Sequence, residues 1–269
     1  MPELPEVETT FRAISDFKGK IIKSSKVNNP NLRWKVDSNF ESIVKDVRIE
    51  DIERRAKYII FSFKKYSMLL HLGMSGSLRI SNKSDNYFKK HDHVELIFNN
   101  KKITYNDPRR FGSIHLTEKL DAHFLIKNLG IEPLDKKFDA VYLNNICKNS
   151  KTSIKSLIMN QKNVVGIGNI YASESLYMAK INPLRSANNI ELSECKTLVK
   201  NIKDVLKRAI KVGGTTLKDF YSADGSAGYF KFKLKVYGRE NEKCFGCNEK
   251  ISKVVQNQRA TYYCKSCQS

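Results

Sequence analysis

Apolar positions change their period along this chain. Leu4, Val7, Phe11 and Ile14 recur at intervals of three and four, which predicts a helix with one buried face at the amino end. Pro5 suits the first turn of that helix, where its missing N–H costs nothing. From about residue 20 to 117 the pattern shortens to apolar or alternating runs at 21–22, 58–61, 68–70, 94–98 and 114–116. Polar turn signals such as Asn28-Asn29-Pro30, Asn99-Asn100 and the stretch 81–86 separate them. Short strands at this density behind one helix predict a β-sandwich or barrel. From Thr152 the period becomes helical again. Ile154, Leu157 and Ile158 mark a short helix, and Val164-Val165-Gly166-Ile167-Gly168 a glycine-bearing turn. Asn169 is expected to cap a second helix running through Ala179. A third, opened by Ser193, carries the stripe Leu198, Val199, Ile202, Val205, Leu206 and Ala209, and Gly213-Gly214 ends it.

The fold class expected is α+β and multidomain. An N-terminal catalytic-type β-sandwich domain with its helix occupies 1–135. The polar clusters Asp135-Lys136-Lys137 and Lys148-Asn149-Ser150 bracket a hinge at 136–150. A helical domain follows over 151–235, its loop Ser222 to Gly228 a candidate lid. A C-terminal finger fills 236–269. That finger rests on Cys244-x-x-Cys247, sixteen residues, then Cys264-x-x-Cys267. Two such knuckles at this spacing point to one tetrahedral Zn²⁺ with no position left for water, hence a structural ion. The remaining cysteines, Cys147 and Cys195, are isolated. This usage suits a reducing compartment better than disulfides do.

Charge narrows the class of partner. The 269 residues carry 48 Lys and Arg against 28 Asp and Glu, a net charge of +20. A field of that sign favours a polyanion, and nucleic acid is the foremost one. No stretch of 18 apolar residues exists in the sequence and the amino end lacks a signal peptide's apolar core, so no membrane role is expected and a cytoplasmic protein is. Candidate chemistry sits at the amino end, Met1-Pro2-Glu3-Leu4-Pro5-Glu6-Val7-Glu8. Removal of Met1 before a small residue exposes the secondary amine of Pro2. An α-amino group titrates near ~8 against ~10.4 for lysine, so its neutral fraction at pH 7 is larger by some hundreds, worth about 3 kcal/mol. The helix N-terminus behind it depresses the amine further. Glu3 stands beside it as an acid or base. Two further turns, His71 to Arg79 and Asp107 to Gly112, present Met74, Arg109 and Phe111. Each of these is unremarkable alone; as a set they have the chemistry of a wedge that fills the gap left by an extruded base.

These motifs, with Arg54-Arg55-Ala56-Lys57-Tyr58 and Gln161 through Glu174, closely resemble the formamidopyrimidine-DNA glycosylase family over essentially the whole chain. The resemblance implies Pro2 as the nucleophile and Glu3 as the acid. It implies Lys57 and Arg259 as further proton movers, and Met74, Arg109 and Phe111 as the wedge. His91, Lys151 and Asn169 match its DNA contacts. Gln161 to Glu174 matches its helix–two-turn–helix element, and the cysteine hairpin its zinc finger. The function implied is a bifunctional glycosylase and abasic-site lyase, a monomer acting on duplex DNA that contains oxidised purines. That DNA is expected to lie across the cleft between the two domains. The relatives acting on oxidised pyrimidines start Pro-Glu-Gly-Pro and lack this wedge, which favours the purine branch. A non-catalytic, zinc-dependent damaged-DNA-binding or architectural protein is the alternative: it shares the charge, finger and wedge, and only Pro2, Glu3 and Lys57 separate the two. An RNA-binding role in translation has no use for a wedge.

Overall fold

The computed structural model describes residues 2–85, 88–214 and 234–269. The Ser222 to Gly228 loop lies outside the described residues. The chain divides into two compact units, Met1–Lys127 with Val212–Lys231, and Asn128–Lys211 with Phe232–Ser269.

Unit one opens with helix α1 (Leu4–Ile14), whose Leu4, Val7 and Ile14 are buried as their spacing predicts. Ten strands follow: β1 (Ile21–Ile22), β2 (Ser24–Val27), β3 (Val47–Arg48), β4 (Asp51–Arg55), β5 (Tyr58–Ser62), β6 (Ser67–His71), β7 (Ser77–Asn82), β8 (Asp92–Ile97), β9 (Lys101–Asn106) and β10 (Ser113–Thr117). A short helix α2 (Phe40–Val44) interrupts them. They form two four-stranded sheets, ordered β10-β6-β5-β4 and β2-β8-β9-β7, with β1 and β3 as a separate pair. Every strand pairing is antiparallel. One apolar cluster joins α1 to both sheets through Val7, Ile14, Ile59, Phe61, Met68, Leu78, Val94 and Ile103, so this is the expected sandwich.

Unit two contains α3 (Ala140–Lys148), α4 (Ile154–Met159), α5 (Asn169–Met178) and α6 (Leu192–Lys211), then β11 (Ser252–Gln256) and β12 (Arg259–Tyr263) as an antiparallel hairpin. Two sequence expectations need correction. The hinge at 136–150 is mostly helix: Asp139 caps α3 by accepting the Tyr142 N–H at 2.7 Å, and α3 buries Leu143 and Cys147. The division between units falls instead between Lys127 and Asn128. The cysteine finger is no separate domain either. It clusters with the helices, because β12 packs on α5.

Candidate active site and nucleic-acid interface

Strand register gathers the candidate residues of unit one at one end of its sheets. Tyr58 pairs with His71 and His71 with Ser113, while Ser77 pairs with Asn106. The turn before Tyr58 and the turns on either side of Gly73 and Phe111 therefore share one rim. Lys57 lies in the first of these. Its neighbour Ala56 takes φ +56°, a left-handed conformation that lets two residues reverse the chain between β4 and β5. Arg54 ties this turn to α1: its Nε donates to Glu8 at 2.7 Å and its Nη1 to the Ala56 carbonyl at 3.0 Å. Burial opposes the charge on Glu8, but the Arg54 and Arg12 guanidiniums outweigh it and lower the carboxyl's pKa.

Pro2 and Glu3 stand buried at the start of α1. Glu3 is the N-cap and forms a reciprocal capping box with Glu6, whose carboxylate accepts the Glu3 N–H at 2.9 Å. Glu3, Glu6 and Lys57 are 2%, 0% and 8% exposed, so three ionisable groups are held out of water within one unit. Carboxylates and an ammonium kept this dry are costly unless each is partnered, and such positions are where chemistry concentrates.

The candidate wedge residues stand on turns built around a buried carboxylate. Asp107 is fully enclosed. It accepts from Ser75 Oγ at 2.6 Å, the Gly112 N–H at 2.8 Å and Tyr105 O–H at 3.0 Å. The Arg109 N–H reaches Ser75 Oγ at 3.1 Å. Two turns distant in sequence are thereby clamped together. Glycine makes the approach possible: a Cβ on Gly73 would meet Gly112 N at 2.3 Å, and one on Gly112 would meet Tyr105 OH at 1.7 Å. From this clamp Met74 and Phe111 project 39% and 44% exposed, and the Arg109 guanidinium lies 4.9 Å from the Phe111 ring centre. Exposed apolar side chains on a rigid base are what a wedge requires. His91 joins the same rim: its carbonyl accepts the Asp107 N–H at 3.1 Å, and it takes the rare φ of +100°.

In unit two, Ser153 caps α4, and Lys151 is exposed two residues before it. Gln161 fastens the glycine turn, accepting the Gly166 N–H at 2.8 Å and donating to the Ile167 carbonyl at 3.1 Å. Gly168, not Asn169, is the N-cap of α5. Asn169 Nδ2 donates to the Ala260 carbonyl at 2.8 Å, which leaves its Oδ1 buried without a partner. Lys155, 2% exposed, donates to Thr261 Oγ1 at 2.6 Å. These bonds seat β12, whose first residue is the exposed Arg259, on the helices. Asn257 and Gln258 both take left-handed φ, +47° and +61°, and form the tight turn that presents it.

The four cysteine Sγ atoms of Cys244, Cys247, Cys264 and Cys267 lie within 4.8 Å of one another. Cys244 and Cys267 are 3.8 Å apart, and Cys247 and Cys264 3.4 Å. A tetrahedron with metal–sulfur bonds of about 2.3 Å has edges of about 3.8 Å, so the set fits one thiophilic ion. Glu174 closes the Gln161–Glu174 motif, but the motif did not say what it holds: on α5 it accepts the N–H groups of Lys235, Val236 and Tyr237 at 2.7–2.9 Å and so anchors the segment entering the finger.

A two-sheet sandwich with an N-terminal helix, and a helical unit carrying a four-cysteine hairpin, define the helix–two-turn–helix class. Comparison makes the assignment specific. Residues 1–114 match the formamidopyrimidine-DNA glycosylase N-terminal domain, and 129–221 that family's H2TH domain. The chain is 46% identical to the formamidopyrimidine-DNA glycosylase of Ruthia magnifica, and 47% to that of Escherichia coli, each over all of both chains. Among solved structures it resembles Lactococcus lactis Fpg bound to DNA containing an abasic site, with TM-score 0.90 and 34% identity over 99% of each chain. MutM (Fpg) of Thermus thermophilus gives 0.88 and 30% over 99% and 98%. The chain belongs to the formamidopyrimidine-DNA glycosylase family.

Proposed function

We propose that this protein is a bifunctional DNA glycosylase and abasic-site lyase that removes oxidised purines, 8-oxoguanine and formamidopyrimidines, from duplex DNA. The observation that carries the reading is the buried Pro2-Glu3 start of α1, tied through Glu8 and Arg54 to the turn holding Lys57.

Once Met1 is removed, the Pro2 nitrogen attacks C1′ of the damaged nucleoside and the base leaves. Glu3 gives its proton to the sugar ring oxygen as the ring opens, and the nitrogen lone pair closes an iminium. That cation acidifies the C2′ proton. Loss of this proton expels the 3′ phosphate, and a second elimination expels the 5′ phosphate. Lys57 and Arg259 move protons in these steps. Met74 and Phe111 fill the vacated stack, and Arg109 faces the abandoned partner base. Extrusion costs a few kcal/mol, which the filler offsets. His91, Lys151 and Asn169 contact phosphates; for Asn169 the remaining Nδ2 hydrogen serves, since the other is given to Ala260. Zn²⁺ held by Cys244, Cys247, Cys264 and Cys267 supplies a cross-link for a hairpin with a very small core, centred on Val236 and Ile251. The protein works as a monomer in the cytoplasm, at the nucleoid.

The test is borohydride reduction during turnover on an 8-oxoguanine duplex, with mass spectrometry locating the adduct. A crosslink on the Pro2 nitrogen is expected. Binding to lesion duplex without any trapped adduct or nick would leave the architectural reading standing instead.

A further inference from the structure

Helix α6 presents a row of lysines that neither the lesion chemistry nor the core explains. Its buried side is Cys195, Leu198, Val199, Ile202, Val205, Leu206 and Ala209, and it packs on α3 and α5. Lys196, Lys200, Lys203, Lys207 and Lys211 follow one another at steps of four, three, four and four. At about 3.6 residues per turn, that spacing keeps all five within roughly a quarter of the helix surface, on the side away from the core. Four of them are exposed, and Lys203 is half-buried with its ammonium donated to the Asp135 carbonyl at 2.9 Å. No carboxylate neutralises the row. Of the acids on α6, Glu194 is held by Arg185 at 2.6 Å, and Asp204 forms no ion pair among the described residues. On α1 the chain does the opposite: Glu8 and Arg12 pair one turn apart at 2.9 Å.

Helix residues three and four apart are neighbours, so like charges at that spacing repel and destabilise the helix. The row contains four such pairs in succession, and a merely solvated face needs none of them. An anion laid along it relieves the repulsion. From Lys196 to Lys211 the helix rises in steps of about 1.5 Å, roughly 22 Å in all. Duplex DNA carries one charge per about 1.7 Å of its axis, so about a dozen phosphates span that length. The row is straight and open, and a small anion would touch only one or two of its lysines. Lipid is a poor match, because every apolar residue from Cys195 to Ala209 is buried. A protein interface has an apolar centre, whereas Thr197, Asn201 and Asp204 flank this row. The row also stands apart from the hairpin. Helix α5 packs on both α6 and β12 and is buried at seven of its ten positions, so it lies between them.

We propose that the α6 row binds the phosphate backbone of a second, undamaged duplex while the protein holds lesion DNA, so that one molecule bridges two segments. The proposal goes beyond excision and takes from the family assignment only that the protein binds DNA. The probe is a labelled duplex with a stable abasic analogue, bound first by the full-length protein. The complex is then captured on beads that carry undamaged duplex. Capture is expected, and it should weaken steeply as salt rises. Lys200→Gln with Lys207→Gln removes all four repelling pairs, so this variant should unfold at the same or a higher temperature. Its capture should fall at least tenfold, and the log–log salt slope of capture should flatten by roughly two units, at about 0.9 per phosphate. Affinity for the labelled duplex should change less than threefold. The same change at the exposed Lys64 and Lys119 should lower capture less than threefold. Equal loss in the two double variants would mean that the beads sense only net charge and would overturn the proposal. So would a wild-type protein that captures nothing, or a loss of labelled-duplex affinity as large as the loss of capture. Polyglutamate displacing the beads as well as free duplex does would overturn it in favour of an acidic protein partner.

Discussion

Single residues decide how rigid the wedge is, and two of them make opposite cases. Gly112 and Gly19 look alike in sequence, each a lone glycine between larger neighbours. A Cβ at Gly112 would collide with Tyr105 OH at 1.7 Å and the His71 carbonyl at 2.5 Å, whereas at Gly19 it would meet nothing. Gly19→Ala bears only the left-handed backbone cost of about 1–2 kcal/mol at φ +79°. Gly112 has no left-handed φ and escapes that cost, but Gly112→Ala must open the Asp107 clamp, orphaning buried hydrogen-bonding groups at about 1–3 kcal/mol each. Urea unfolding should therefore show the larger loss at Gly112, and equal losses would mean the two turns are not clamped. His71 adds a pH dependence at the same rim. Burial, then the nearby Lys57 and Arg33 cations, depress its pKa to about 4. Its Nδ1 accepts the Gly73 N–H at 3.2 Å and so must stay unprotonated. In the unfolded chain the ring titrates near ~6.5, so between that pH and about 4 the unfolded state binds more protons. This contribution is complete above ~6.5 and is lost as pH falls toward 4. His71→Gln should flatten stability against pH in that window. Asp92 behaves differently, for although burial opposes its charge, Arg79, the Lys89 N–H and the Asn106 amide together lower its pKa, and its contribution is lost only under more acid conditions. An unchanged slope in the His71 variant would show that His71 protonates freely in the folded protein.

At the scale of elements, the cysteine hairpin is the piece least able to stand without help. Its strands expose Val255 and bury only Thr261 and Tyr263, and the apolar cluster around them is limited to Val236, Ile251, Cys244 and Cys264, so the hairpin depends on its neighbours and on the proposed metal. Lys155, Asn169 and Glu174 fasten it to α4 and α5 from the protein side. Cys247→Ser, or removal of the metal by a chelator, should abolish binding to lesion duplex while the sandwich keeps its cooperative unfolding. Hydrogen exchange should then accelerate through 252–263 and stay slow in β5 and β6. Full metal content in the variant would contradict the four-cysteine assignment. How these elements read from sequence follows from what they bury. Strands β5 and β6 each bury three consecutive apolar residues, and β8 is buried at five of six positions, so their runs stood out. Strand β4, Asp51-Ile52-Glu53-Arg54-Arg55, buries only Ile52 and uses Arg54 on α1 and the Lys57 turn, so it shows no apolar run. Helix α3 was hidden for a similar reason: Leu143 and Cys147 are its only buried residues, and asparagines and lysine fill its end. The cysteine motif was legible because short-range spacing specifies it, whereas the candidate roles of Pro2, Glu3 and Lys57 came from resemblance. Asp107, Gln161 and Glu174 stand in motifs the sequence shows, but each acts by holding backbone N–H groups, and no spacing rule names a side chain's backbone partner.

Across the whole molecule, affinity and chemistry rest on different features, which makes them separable. The net charge of +20 is spread over 48 cationic residues, so lesion-duplex affinity should fall steeply with salt, by about 0.9 in log–log slope for each phosphate neutralised. No single change at the amino end removes that field. The proposed covalent step, by contrast, hangs on one lone pair. Retention of Met1, or fusion of a tag ahead of Pro2, turns the terminal amine into an amide that is neither basic nor nucleophilic. It also forces extra chain into the place where Pro2, Glu3 and Glu6 are buried together at the start of α1. Glycosylase and strand-cutting activity should collapse together in such a protein, by several orders of magnitude. Duplex affinity and its salt slope should change little, because Lys151 and the hairpin belong to the other unit. A tag placed after Ser269 should spare the chemistry. Glu3→Gln divides the two reactions, since a ready-made abasic site needs no proton delivered as a base departs: cleavage there should persist while excision of the intact lesion falls. Normal turnover by an amino-terminally blocked protein, with the borohydride adduct on an internal lysine, would remove Pro2 from the mechanism. It would make the buried Lys57 the first candidate for the Schiff base.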